Sequence, residues 1–168
     1  PYTQWSFKAN TRRMPEFTAP GIGRESNQVE IDLDVPEKAD GVLYALGGSG
    51  GGLVVYMDEG HIVYHYNMMI IEQFSARSKL PLTPGRHKII VDTKIAGPGK
   101  KGTVKLLVDG EEVAAIVLNR TVPAAFSASE SFDVGVDLGS VVSLDYSDRR
   151  PFEFNGTIRT VQVKMEAN

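Results

Sequence analysis

The chain has 168 residues, 42% of them hydrophobic and 23% charged, with a net charge of −3 and no cysteine. That composition suits one globular domain around one core, and it excludes a disulfide framework, a thiolate metal site and a cysteine nucleophile. Without a basic patch, neither nucleic acid nor an anionic membrane is expected as a partner, and no apolar run reaches the roughly 18 residues of a membrane span.

The start, Pro1-Tyr2-Thr3-Gln4-Trp5, lacks the pattern of a secretory signal. It also lacks Met, so it reads as a processed end or a piece of something longer, and the compartment stays open. Residues 1–23 read as an irregular arm packing on the domain, because Met14-Pro15 and Ala19-Pro20-Gly21 work against regular pairing. Residues 24–168 then form the domain itself. Its first strand is the clearest. Val29, Ile31, Leu33 and Val35 alternate with Glu30, Asp32 and Asp34, which predicts a half-buried strand ending at Pro36. The continuous apolar run 41–46 is expected to be central and covered on both sides.

Residues 47–52, all Gly except Ser49, predict a flexible loop. Residues 53–57 and 61–68 flank a hairpin turn at Asp58-Glu59-Gly60. Residues 70–77 continue the meander, and 80–85 form a turn. Strands follow over 88–95, 103–108 and 112–119, the last two joined at Asp109-Gly110. Residues 133–146 carry short strand pieces. In the final strand, 152–166, the buried positions jump from Phe152, Phe154 and Ile158 to Val161, Val163 and Met165, the parity slip of a β-bulge. About a dozen short strands with no helical period predict an all-β fold, two antiparallel sheets packed as a sandwich.

Few residues gather into reactive groups. The glycine loop has Leu53-Val54 where a phosphate loop needs Lys-Ser, so Gly48, Ser49 and Gly50 read instead as a hairpin tip open to a ligand. Glu30, Asp32 and Asp34 share one strand face. Glycoside hydrolysis by retention needs carboxyls ~5–5.5 Å apart, whereas the Cα atoms of Glu30 and Asp34 stand ~13 Å apart on a regular strand. A solvated strand face explains them without catalysis. His61 and His65 are similarly ~13 Å apart, too far to chelate one metal. Asp133, Asp137, Asp145 and Asp148 are hard oxygen donors of the kind that hold Ca²⁺, although Gly135, Gly139 and Ser140 suggest turns. No other cofactor is implied. Asn119-Arg120-Thr121 and Asn155-Gly156-Thr157 match a glycosylation pattern and read as turns. Tyr64, Tyr66, Met68, Met69, Ile70, Ile71 and Phe74 concentrate apolar surface, core by default and a protein interface where exposed.

An ordered series of segments resembles the C-terminal accessory domain of bacterial arylsulfatase-type sulfatases. It comprises Phe17-Thr18-Ala19-Pro20, the strand 29–37, the run 40–48, Tyr64-His65-Tyr66-Asn67, residues 81–87, Gly102-Thr103-Val104, Val108-Asp109-Gly110, Arg120-Thr121-Val122-Pro123, residues 132–139 and residues 154–158. The formylglycine motif and catalytic domain of those enzymes are absent from this sequence, so sulfatase activity does not carry over. The resemblance implies a jelly-roll-like sandwich of the concanavalin A or laminin-G kind, non-catalytic, associating with itself or with a catalytic partner domain. A second reading is a carbohydrate-binding module for polysaccharide, including sulfated glycan, using Gly48, Ser49 and Gly50 together with Trp5, Tyr64 and Tyr66. A third is a divergent concanavalin A-like glycoside hydrolase built on Glu30, Asp32 and Asp34. In laminin-G-like sandwiches a rim calcium would fall to Asp133, Asp137 and Asp145.

Overall fold

The computed structural model describes residues 3–127 and 129–166. Residues 1, 2, 128, 167 and 168, which belong to the expected arm and domain, lie outside the described residues. The strands are β1 (Gln4–Phe7), β2 (Met14–Pro15), β3 (Asn27–Val35), β4 (Gly41–Gly48), β5 (Gly51–Asp58), β6 (His61–Met68), β7 (Glu72–Arg77), β8 (Gly85–Ile95), β9 (Gly102–Val108), β10 (Glu111–Leu118), β11 (Ser131–Val134) and β12 (Thr157–Met165). A short 3-10 helix spans Leu144–Arg149. No helix among the described residues is long and apolar enough to cross a membrane.

Two six-stranded sheets result. Sheet A runs β1-β12-β3-β8-β9-β10 and sheet B runs β2-β11-β4-β5-β6-β7. The sandwich expected from the alternation is therefore present, and its ladders are antiparallel. The inner faces meet in one large core. Ile31, Leu33, Ile89, Val91, Val104 and Leu106 of sheet A face Leu43, Leu46, Leu53, Val55, Tyr64 and Phe132 of sheet B. The predicted parity slip in the last strand is a bulge between Ile158 and Thr160 opposite β3.

Sheet B is covered on its outer side as well. Val42, Ala45, Val54, Tyr56 and Val63 point away from the main core into a second apolar cluster. The segment from Val141 to Phe152 lies over them as a strap, contributing Val141, Val142, Tyr146 and Phe152. Its aromatic rings interlock. Tyr56 meets Tyr146 edge-on at 5.0 Å, and Tyr146 stacks on Phe152 at 5.2 Å. This explains why every residue of β4 is buried, as the unbroken run 41–46 predicts. A bulge between Val42 and Tyr44 sends Leu43 and Tyr44 together into the main core.

Three local expectations are corrected. Met14 and Pro15 do pair, as the two-residue edge strand β2 against β11, a position where proline's missing N–H costs nothing. β1 likewise pairs with β12, so the arm supplies one edge strand to each sheet. The six residues 47–52 are not a loop. The β4–β5 ladder continues through Gly47↔Gly52 and Gly48↔Gly51, leaving only Ser49 and Gly50 at the tip. Glycine is required there by close backbone approach, since a Cβ on Gly47 would strike the backbone of Gly51 and Gly52, and one on Gly52 the carbonyl of Leu46. Finally, β7 begins at Glu72, not Ile70. Met69 and Ile70 form a turn closed by Ile71 N–H donating to Met68 O at 3.0 Å, with φ of 53° and 72°. An isoleucine in that left-handed region is strained.

Two outcomes follow for stability. Phe152→Ala opens the strap and should lower the unfolding free energy by about 3–5 kcal/mol, read from urea denaturation. Replacing Met69-Ile70 by Asn-Gly relieves the turn and should raise it by roughly 1–3 kcal/mol; an unchanged midpoint would contradict the strain.

Candidate ligand-binding groove

With sheet B covered on both sides, the outer face of sheet A is the open sheet surface. The alternation in β3, β8 and β12 puts the polar set there. Cross-strand pairing arranges it in rows: Ser6, Gln162, Glu30 and Ile90 in one, Gln4, Lys164, Gln28 and Asp92 in the next. The first row and most of the second line a hollow of about 430 Å³, bounded by Gln4, Ser6, Gln28, Glu30, Ile90, Gln162 and Lys164, with Trp5 at its edge. Trp5 is half-buried and packs against the main core, the same side as Phe7.

The side chains of Gln4, Gln28, Gln162 and Ser6 make no hydrogen bond within the described residues, and Lys164 makes no ion pair there. They are exposed and uncommitted. Each carboxamide offers two donors and an acceptor. Ile90 supplies an apolar floor between them.

The rest of the face is different. Glu30 meets Lys88 at 3.3 Å, Asp32 takes a bidentate pair of bonds from Arg86 at 3.0 and 2.8 Å, and Asp34 is held by Arg159 at 2.9 Å. The hydrogen bond from Arg86 and its charge hold Asp32 below the usual carboxylate range. A general acid needs the opposite direction. The three carboxylates expected on one face are there, and they form an ion-pair ladder, each with its own cation.

Beside the ladder, His87 Nδ1 lies 2.5 Å from Asp109 Oδ2 and Nε2 lies 2.6 Å from Thr83 O. Both partners are acceptors. Burial opposes the charge, but these bonds outweigh it and raise the imidazole pKa. His61 accepts a structural role too, with Nδ1 2.8 Å from Ser78 O, and His65 Nε2 sits 2.6 Å from Gln73 Oε1.

The other expected ligand residues do not gather at the groove. Tyr64 and Tyr66 are corrected to core residues, 1% and 0% exposed. Tyr66 O–H donates to Gly23 O at 2.6 Å and accepts from Val122 N at 2.8 Å. Ser49 and Gly50 form a hairpin tip of sheet B with Gly48 paired just below it, whereas Trp5 belongs to β1 of sheet A. Asn67 ties that tip down, donating to Ser49 O at 2.9 Å and Val142 O at 3.2 Å.

Of the three calcium candidates, Asp133 and Asp137 lie close enough to repel each other, and each is spent on hydrogen bonds. Asp133 accepts from Arg13 N at 2.7 Å and Leu138 N at 3.0 Å. Asp137 accepts from Val142 N at 2.8 Å and from the Tyr146 hydroxyl. Asp145 is exposed on the 3-10 helix. No cluster of three or more acidic or imidazole groups suited to a metal exists among the described residues.

Asp137 has a consequence for stability. Burial, reinforced by Asp133 and Glu130, pushes its pKa up to about 6 against the hydrogen bonds from Tyr146 and Val142. The folded state thus holds the proton more tightly than the unfolded chain. That contribution is fully present below an unfolded value of 3.8 and is lost as pH rises through about 6. It amounts to about 3 kcal/mol. Asp137→Asn should gain stability relative to the parent by that order between about pH 4 and pH 7. Parallel pH profiles for the two proteins would refute the shift.

No protein-family model matches the chain, and no curated protein matches its sequence. Similarity appears in solved structures. A carbohydrate-binding domain, the CBM40 of the Ruminococcus gnavus IT-sialidase, bound to α2,6-sialyllactose, superposes with a TM-score of 0.63 at 13% identity, covering 98% of this chain and 94% of that one. Domains LG4-5 of the mouse laminin α1 chain superpose with a TM-score of 0.63 at 14% identity, covering 98% of this chain and 43% of that one. The shared feature is the jelly-roll sandwich.

Proposed function

We propose that this protein is a carbohydrate-binding module whose groove on the outer face of sheet A holds an acidic sugar unit. The observation that carries this is the set of uncommitted groups in one hollow. Three carboxamides and a hydroxyl can pair with vicinal sugar hydroxyls, Ile90 can pack on the apolar face of a sugar ring, and Lys164 can meet a carboxylate or sulfate. A volume of about 430 Å³ lies within the range of small-ligand sites. The CBM40 domain of the same fold is bound to a sialylated sugar, which supports the choice of ligand class.

The groove is shallow and wet. Individual hydrogen bonds at such a surface contribute about 0.5–1.5 kcal/mol net, so a single site is expected to bind weakly. Specificity would come from the pattern: amides for hydroxyls, one cation for one anion. The ladder of Asp34, Asp32 and Glu30 with their cations closes the face at the other end and is already neutralised.

Titration calorimetry with matched neutral and acidic oligosaccharides tests the reading. Gln28→Ala with Gln162→Ala should weaken binding at least ~10-fold, the loss of about 1.4 kcal/mol, with the urea midpoint unchanged because both side chains are exposed. Lys164→Met should erase the preference for the acidic ligand. Retention of no glycan by the parent protein, or full affinity in the double variant, would end the proposal.

A further inference from the structure

Each sheet has two edges, and three of the four are blunted. β1 has four residues. β2 has two and includes Pro15. β7 has six, with Glu72 and Arg77 at its ends. β10 is unlike them. It has eight residues, Glu111–Leu118, and the last six, Val113 to Leu118, are apolar without a lysine or a proline. Among the described residues its ladder is with β9 alone, and no strand pairs with its other side. Val117 is 52% exposed on the outer face. Its protection is the bulge between Glu112 and Ala114, which leaves the stretch 114–118 regular, and the approach of β7 from the other sheet. Natural edges of this length are normally charged, bulged or covered.

We propose that β10 pairs antiparallel with β10 of a second copy of this chain, joining the two A sheets into one continuous sheet about a two-fold axis. The segment complements itself. A pairing centred on Ile116 sets Ala115 opposite Val117 on the outer face, and Ala114 opposite Leu118 on the core side, so both faces match. The same register carries Glu112 of each copy towards Arg120 of the other. Arg120 is anchored within its own chain by Glu72 at 2.6 Å and remains partly exposed. Antiparallel pairing thus places the acidic start of β10 beside the basic residue after its end, whereas a parallel pairing would stack like charges.

The two-fold axis stands normal to sheet A, so both outer faces look the same way. The two grooves would then lie towards the two far ends of the joined sheet, with β9 and β10 of both copies between them. With strands about 4.8 Å apart, the grooves are separated by roughly 40 Å, so only a long glycan chain would engage both. The dimer itself does not rest on the glycan reading.

Sedimentation equilibrium tests it directly. The expected mass is twice the 18.3 kDa of the chain. Ala115→Lys with Val117→Lys places like charges opposite each other across the seam and should raise the dimer dissociation constant at least ~10-fold, since such pairs are destabilising. Amide hydrogen exchange gives a second readout on the unaltered protein: residues 114–118 should slow as concentration rises. A parent protein that stays monomeric overturns the proposal. So does a dimer that survives both lysines, or concentration-dependent protection confined to another edge.

Discussion

The arrangement depends on covering a sheet that is apolar on both sides. Val42, Ala45, Val54, Tyr56 and Val63 give the outer face of sheet B a surface that water would not tolerate. The strap supplies the cover. Its hold is partly aromatic, through Tyr56, Tyr146 and Phe152, and partly polar, through Asp137, which binds the Tyr146 hydroxyl and the Val142 amide at once. A buried carboxyl is a costly way to fix a loop. Its two hydrogen bonds fix the segment after β11 to both Val142 and Tyr146 of the strap. Once sheet B is enclosed, the molecule has a buried layer in the middle and one sheet face left for chemistry.

That face is graded along β3. At one end Asp34, Asp32 and Glu30 each neutralise a cation from β8 or β12. At the other end Gln28 has no such partner; it stands between Lys164 of β12 and Asp92 of β8, with the amides of Gln4 and Gln162 nearby. Exposed pairs like these add little to stability, so their effect is on the field. They leave one end of the face electrically quiet and concentrate unspent hydrogen-bonding capacity, with one positive charge, at the other.

The sequence carried much of the fold and little of the groove. The alternation of Val29 to Val35, the unbroken run 41–46 and the parity slip after Ile158 each encode a local geometry, and each is found. The glycines 47–52 misled because glycine permits a loop but also permits tight approach, and only the closeness of the paired backbones at Gly47 and Gly52 decides between them. Tyr64 and Tyr66 misled because an aromatic residue on a strand of unknown depth looks the same whether it lines a cleft or a core. The groove draws on residues near 4, 28, 90 and 162, brought together by strand order that no local pattern contains. The trace available was polar alternation in the last strand, where Gln162 and Lys164 oppose Val161 and Val163.

The pairing of β1 with β12 sets how the domain carries load. Thr3 O accepts from Met165 N at 2.7 Å, so the outermost rungs of that ladder are the first and last of the described strands. Tension applied through these two points pulls the strands apart from one end, breaking rungs singly, where a shear geometry would load them all together. The fold is thus mechanically soft along this direction, and β1 would peel away long before the strapped sheet behind it gives.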